Sequence, residues 1–160
     1  MLPENHWTNT MVEVTKEVFA KTGKVMPVAF VKNHAGDLSL VEIPPFSERC
    51  SWEIGDAMRR MCKVNSVKEV LFISECDMYK LKDVSKEDII KNIDNLKETT
   101  EKTETILITY ENLTENYTKH IDISQGEIIK EHDWFKLDKP SYGNLVNLLR
   151  DVKINDISYA

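Results

Sequence analysis

The sequence feature that most constrains the fold is an unbroken apolar run, Val70-Leu71-Phe72-Ile73, near the middle of the chain. A strand with one face in water alternates apolar and polar residues, so an uninterrupted run indicates a strand that is covered on both faces. We expect this strand to continue through Cys76 and Met78, which alternate with acidic residues. The run therefore predicts the central strand of a sheet.

The remaining predicted strands flank short turn sequences. Gly126 supplies the positive φ that a tight hairpin turn requires, and Pro44-Pro45 ends an earlier strand. The predicted strands cover residues 25–31, 38–43, 105–110, 117–123 and 127–135. Because neighbouring strands are joined by hairpins rather than by β-α-β crossovers, the pattern favours a mainly antiparallel sheet of five to six strands.

Four segments show the 3.6-residue apolar repeat of amphipathic helices. They cover residues 10–22, 47–64, 86–97 and 142–150. In the first helix the predicted inward residues are Met11, Val14, Val18 and, on the flank, Phe19; in the third they are Ile89, Ile90, Ile93 and Leu96. The third helix begins with a capping box of Ser85 and Asp88.

The predicted order of elements is α-β-β-α-β-α-β-β-β-α. We expect one α+β domain over residues 1–160, with helices packed on the sheet and with residues 97–104 forming an exposed linker inside it. That linker consists almost entirely of Lys, Glu and Thr, and has no apolar side chain to bury.

Composition excludes some function classes and disfavours others. A net charge of −6 opposes binding to nucleic acid phosphates or to an anionic membrane surface. No stretch approaches the roughly 20 apolar residues that span a bilayer, and the first residues lack a secretory-signal pattern, so we expect a cytoplasmic protein with reduced cysteines. The five glycines form no phosphate-binding motif, and no cofactor is predicted.

Two groups of polar residues are candidates for chemistry. The central apolar run is followed by Glu75, Cys76 and Asp77. If the strand ends here, a thiol lies beside carboxylates at a strand end, where catalytic sites often form. The alternative is a strand that continues, with Cys76 pointing inward. His120, Asp122 and His132 would approach one another if the strands around Gly126 pair as a hairpin, and such a set can hold a divalent metal. The simpler interpretation is a polar, exposed sheet face without a metal.

The function predicted first is a non-catalytic binding or accessory module that acts through a protein–protein surface, with a protein partner or a homodimer. Candidate contact residues are Trp52, which lies outside the apolar stripe of its helix, and Ile157 and Tyr159 in the apolar C-terminal segment. The competing hypothesis is a small hydrolase or transferase whose site combines Glu75, Cys76 and Asp77 with His120 or His132.

One resemblance accompanies these predictions. The proline-terminated hairpin of residues 26–45, the following helix and the Val70–Met78 stretch are similar to small uncharacterised proteins of prokaryotes and their mobile elements. In those proteins the strand after the helix also ends in a Ser-Glu-small-aromatic-Met stretch, where this chain has Asp77 in place of the aromatic residue. The resemblance covers about residues 26–135 and implies a prokaryotic origin but no activity.

Overall fold

The fold is α+β, as predicted, and follows the predicted order of elements closely. The structure is a computed structural model that describes residues 2–43, 48–79, 85–138 and 147–152. Its elements are α1 (Trp7–Thr22), β1 (Val28–Asn33), β2 (Leu38–Glu42), α2 (Glu48–Val64), β3 (Val67–Tyr79), α3 (Lys86–Thr99), β4 (Lys102–Asn112), β5 (Asn116–Ser124), β6 (Glu127–Glu131) and β7 (Phe135–Leu137). Most of the predicted last helix, residues 142–150, lies outside the described residues.

The sheet has seven strands and is antiparallel at every pairing. Its order is β2-β1-β3-β4-β5-β6, and β7 pairs with β5 beside β6. One strand more than predicted is present because the predicted strand 127–135 is interrupted at residues 132–134 and becomes β6 and β7. The run Val70-Leu71-Phe72-Ile73 lies in β3, in the interior of the sheet between β1 and β4.

Both faces of β3 are covered, as its sequence predicts. Leu71 and Ile73 pack in the core beneath α1, together with side chains of β4 and β5. Val70 and Phe72 point to the other face, where α2 and residues 147–152 cover them. The alternation of a strand thus divides one apolar run between two hydrophobic cores.

The buried face of α1 agrees with the predicted one only in part, because Met11 and Phe19 pack in the core as expected but Val14 and Val18 do not. Its buried residues are Thr8, Val12, Thr15 and Phe19, whereas Val14 and Val18 are 44% and 46% exposed. Threonine is tolerated on the buried face because the Thr15 hydroxyl donates to the Met11 carbonyl at 2.8 Å. Apolar periodicity alone therefore placed Val14 and Val18 on the wrong side of this helix.

The end of β3 and the start of β4 extend beyond β1, while β5 stays paired with β4 as far as Glu104. Val28, the first residue of β1, is opposite Ile73, while the β3–β4 ladder continues to Tyr79 and Lys102. Six further residues of strand correspond to about 20 Å. We call α3, together with the strand ends 78–79 and 102–103 that pass beyond both β1 and β5, the arm.

The helix α3 begins where predicted but does not bury its apolar stripe. Ser85 is its N-cap, and its hydroxyl accepts a hydrogen bond from the Asp88 amide at 3.2 Å. Ile90 and Ile93 were expected to point inward, yet they are 71% and 41% exposed, because the arm carries this helix beyond the sheet. The predicted linker 97–104 is mostly exposed, but it largely belongs to the end of α3 and the start of β4.

Candidate functional site

An apolar groove of about 800 Å³ lies between α1 and the β1–β2 hairpin. Val14 and Val18 of α1 form one side, and Phe30 and Leu40, which are cross-strand partners, lie on the sheet side. Leu40 is 56% exposed, and Met26 at the end of the groove is 60% exposed. Exposed apolar side chains that line one continuous depression are typical of a binding surface.

The outer side of the groove is an open sheet edge. Within the described part of the chain, β2 is the terminal strand of the sheet and pairs with β1 alone. Leu38 and Leu40 project from β2 on the groove side, while Val41 points to the core beneath α2. An apolar edge strand of this kind is a surface that proteins normally cover.

Of the residues predicted to contact a partner, the structure describes Trp52, which lies away from the groove. Trp52 is 61% exposed on α2, which packs on the opposite face of the sheet from the groove. Ile157 and Tyr159 lie outside the described residues. Sequence reasoning did not find the groove, because Val14 and Val18 were assigned to the core and Leu40 to an ordinary alternating strand.

The metal-ligand candidates His120, Asp122 and His132 come together on the sheet face opposite α1. Their ligand atoms all lie within 4.8 Å of one another. The two imidazole rings are stacked, with centroids 3.9 Å apart and planes inclined by 26°. His132 Nε2 lies 2.9 Å from Asp122 Oδ2, and the pair is partly exposed. We call these three residues the histidine cluster.

A β-bulge in β6 creates the histidine cluster. Ile123 is opposite Ile128, but Asp122 is opposite Lys130, so Ile129 is an extra residue in the strand. The bulge shifts the register by one, and His132 then lies directly opposite His120, whose carbonyl accepts a hydrogen bond from the His132 amide at 3.1 Å. Without Ile129, the residue opposite His120 would be number 131.

Neighbouring charges fix the backbone around the cluster. The ammonium group of Lys119 is nearly buried; it donates to the His132 carbonyl at 2.6 Å and pairs with Glu131 at 3.1 Å. Glu131 also pairs with Lys16 of α1 at 2.6 Å. Burial alone would raise the pKa of Glu131, but the hydrogen bonds from both lysines outweigh burial and lower it. These contacts tie the end of β6 to α1.

His120 favours its neutral form. Burial is the largest cause that lowers its pKa, and the adjacent His132 lowers it further because two stacked imidazolium ions would repel each other. The carboxylate of Asp122 opposes this shift without reversing it. A neutral imidazole has a free lone pair, which is the state that binds a metal.

The predicted catalytic residues are divided between the two faces of the sheet. Glu75 lies on the α1 side, where its carboxylate accepts a hydrogen bond from the Val25 amide at 2.6 Å, and Cys76 points to the opposite side. Burial, followed by the charge of Asp77, raises the pKa of the Cys76 thiol, so the unreactive thiol form predominates at neutral pH. These residues line a depression of about 270 Å³ at the end of the sheet.

The histidine cluster does not share that depression. Cys76 is opposite Thr105, and Thr105 is opposite Asp122, so β4 separates the thiol from the cluster. Two strand spacings amount to about 10 Å between backbones, well beyond the reach of a hydrogen bond between a thiol and an imidazole. Neither His120 nor His132 lines the depression.

A second buried polar cluster, which the sequence analysis did not find, joins α1 to the sheet. The Glu69 carboxylate accepts hydrogen bonds from Tyr110 Oη at 2.7 Å and from Trp7 Nε1 at 3.0 Å, and His6 Nε2 lies 3.7 Å away. Burial would raise the pKa of Glu69, but these two hydrogen bonds and the charges of Lys32 and His6 lower it overall. The rings of Trp7, His6 and Tyr110 pack against one another around this carboxylate.

Comparison of the chain with protein-family models, with curated proteins and with solved structures gives no match. Among the described helices, none combines the length and the apolar character needed to cross a membrane. The functional proposal therefore depends on the geometry of this chain's own side chains.

Proposed function

We propose that the protein is a non-catalytic binding or accessory module that acts through a protein–protein surface. The observation that carries this proposal is the apolar groove between α1 and the β1–β2 hairpin, bordered by β2, the terminal strand of the sheet in the described part of the chain. Val14, Val18, Met26 and Leu40 together leave a substantial apolar area in water. Its burial by a partner would contribute roughly 25 cal/mol for each Å² removed from water.

The occupant that we propose is the arm of a second copy of the chain. A groove beside a helix suits an amphipathic helix that presents apolar residues at i and i+3 or i+4. On α3, Ile89 and Ile93 have this spacing, and Ile90 lies beside them. Ile90 and Ile93 are exposed, so the described residues include both an apolar groove and a helix whose apolar side chains face water.

The position of the arm favours a reciprocal dimer. The arm and the Met26 end of the groove lie at the same end of the sheet, because β3 passes β1 near Val28 and continues outward. Tyr79, the last residue of β3, lies about 20 Å beyond that point, and α3 follows it along the chain. A two-fold axis at this end of the molecule allows each arm to reach the groove of its partner, which gives two equivalent contacts and a closed dimer.

The oligomeric state tests the proposal. We expect the protein at tens of micromolar to be a dimer by light scattering coupled to size-exclusion chromatography. Ile93→Glu in the arm and Val18→Glu in the groove should each give a folded monomer, because both side chains are already accessible to solvent in the single chain. Each substitution removes the contribution of one buried side chain, roughly 1.5–3 kcal/mol, at both symmetric contacts of the dimer. The Kd of the dimer should therefore rise at least about 100-fold.

A matched control and a mixing experiment make the test specific. Ile129→Glu changes an isoleucine that is 64% exposed on β6, away from the groove, and should leave the dimer intact. A mixture of the Ile93→Glu and Val18→Glu chains should recover association, because the intact arm of one chain meets the intact groove of the other. A monomeric wild type, or two variants that do not complement each other, would refute the arm-in-groove dimer.

The proposal includes two expectations that come from the sequence. We expect the module to act in the cytoplasm. We also expect it not to bind nucleic acid, because its net charge of −6 opposes contact with phosphates. The competing hydrolase or transferase is less well supported, because β4 lies between Cys76 and the histidine cluster and the pKa of Cys76 is raised. Reaction of Cys76 with iodoacetamide at pH 7, at a rate well above that of a free cysteine, would favour the enzyme instead.

A further inference from the structure

The histidine cluster has the composition and spacing of a metal site with three protein ligands. His120 and Asp122 are two residues apart on the same face of β5, and the bulge at Ile129 brings His132 to the same place from β6. Two imidazole nitrogens and one carboxylate oxygen are ligands that suit Zn²⁺ and neighbouring divalent transition metals. All three ligand atoms come from a hairpin whose strands are held by ladder hydrogen bonds.

The distances are close to those that a bound cation requires. Ligands at about 2.0–2.1 Å from a tetrahedral Zn²⁺ are separated by roughly 3.3 Å. His132 Nε2 and Asp122 Oδ2 are already 2.9 Å apart, and no pair of ligand atoms in the cluster is separated by more than 4.8 Å. The side chains of His132 and Asp122 are 28% and 23% exposed, so small side-chain rotations can close the remaining gap and an ion can enter from solvent.

Surrounding residues hold the ligands in place. Thr105, which is fully buried, lies with its hydroxyl 3.5 Å from Asp122 Oδ1, on the carboxylate oxygen that does not face His132. Lys119 fixes the backbone of His132 through its carbonyl. Such contacts to ligating residues preserve the geometry of a metal site and raise its affinity.

We propose that His120, Asp122 and His132 bind one divalent transition metal ion, of which Zn²⁺ is the representative, with a fourth position open to water. The ion takes the place of the hydrogen bond between His132 Nε2 and Asp122 Oδ2. This inference is independent of the proposed dimer, because the cluster lies on the opposite edge of the sheet from β2 and on the face opposite α1.

Thermal denaturation with zinc tests the site. Protein stripped with a chelator is heated with and without ZnCl₂, and binding is measured by isothermal titration calorimetry. At a zinc concentration about 100 times Kd, we expect the melting temperature to rise by about 5–10 °C. Bound Co²⁺ should give the intense visible absorption of a tetrahedral complex with nitrogen and oxygen ligands, which reports on the coordination and not on stability.

Substitutions distinguish a metal site from a simple hydrogen-bonded pair. His120→Ala leaves the His132–Asp122 contact intact but removes a ligand, so it should abolish the zinc-dependent shift and the cobalt spectrum. His34→Ala, which changes an exposed histidine in the β1–β2 turn, should retain both. His120→Asn provides a second variant with a polar side chain if the alanine variant is unstable.

Two results would overturn the inference. The first is a wild-type protein with neither a thermal shift nor a cobalt spectrum at 1 mM metal, a concentration on the order of the Kd of weak metal sites in proteins. The second is a His120→Ala variant that binds zinc as well as the wild type, since the ion would then be held elsewhere, for instance at a cysteine.

Discussion

The hydroxyl of Tyr110 should contribute more to stability than that of any other tyrosine described. It donates at 2.7 Å to Glu69, whose side chain is only 15% exposed, so the carboxylate has little access to water. Tyr110→Phe removes this donor and leaves the buried charge with fewer partners. A hydrogen bond to a charged group contributes about 1.5–3 kcal/mol, and we expect the free energy of unfolding to fall by that amount.

Tyr117→Phe is the matched control for this prediction. Tyr117 is almost as buried as Tyr110, and its hydroxyl donates at 2.8 Å to Glu115, a carboxylate that is 36% exposed. Water can replace the lost donor at Glu115, so the loss of stability should be less than half of that for Tyr110→Phe. Urea denaturation measures both: a loss of about 2 kcal/mol lowers the midpoint by about 1 M for an m-value near 2 kcal/mol/M.

The dependence of this effect on pH provides a second readout. The pKa of Glu69 is lowered in the folded state from its ordinary value of 4.5. A depressed carboxyl pKa gives stability that is present above the unfolded pKa and is lost as pH falls through the folded pKa. The difference between wild type and Tyr110→Phe should therefore be largest near pH 7 and shrink below about pH 4. Equal losses for the two tyrosine variants, or a difference independent of pH, would refute the reasoning.

Three further predictions follow from individual positions. Ile108→Ala, at a fully buried site of β4, should cost about 2–5 kcal/mol in urea denaturation, and a loss below 1 kcal/mol would contradict its place in the core. The pKa of His6 is lowered in the folded state, chiefly by burial, so the unfolded state binds a proton more readily. The free energy of unfolding should therefore decrease from pH 7.5 to 5.5. The decrease should be smaller in His6→Asn, which keeps a helix-capping side chain. Gly126→Ala should lower the free energy of unfolding by about 1 kcal/mol, because the φ of Gly126 is +77° and no neighbour obstructs the added methyl group. Gly126→Asn should lower it less, because asparagine adopts positive φ more readily than alanine. A larger loss for the asparagine variant would exclude a backbone cause.

The sequence predicted the architecture because local signals and burial agree in the sheet. The apolar run of β3 indicated a strand covered on both faces, and Gly126 indicated the tight turn between β5 and β6; both predictions are confirmed. The Gln125–Gly126 turn has positive φ at both residues, as a two-residue hairpin requires. Such features depend on a few adjacent residues, which is why they can be read from the sequence.

The histidine cluster was only partly predictable. Hairpin pairing placed His120 near His132, but the sequence does not reveal the bulge at Ile129 that sets them directly opposite each other. A bulge depends on the twist and packing of both strands, and Ile129 does not differ in kind from its neighbour Ile128. The Glu69 cluster is not predictable for a similar reason, since Glu69 is more than 40 residues from both Trp7 and Tyr110 along the chain.

The misplaced apolar residues of α1 and α3 have a common physical cause, which also supports the proposed dimer. Apolar periodicity predicts that a helix has a side that avoids water, but it does not say which surface covers that side. On α1, Val14 and Val18 face the groove instead of the core; on α3, Ile90 and Ile93 face solvent on the arm. Both deviations leave apolar side chains exposed at the same end of the molecule, and a second copy that buries both would restore the pattern that the sequence contains.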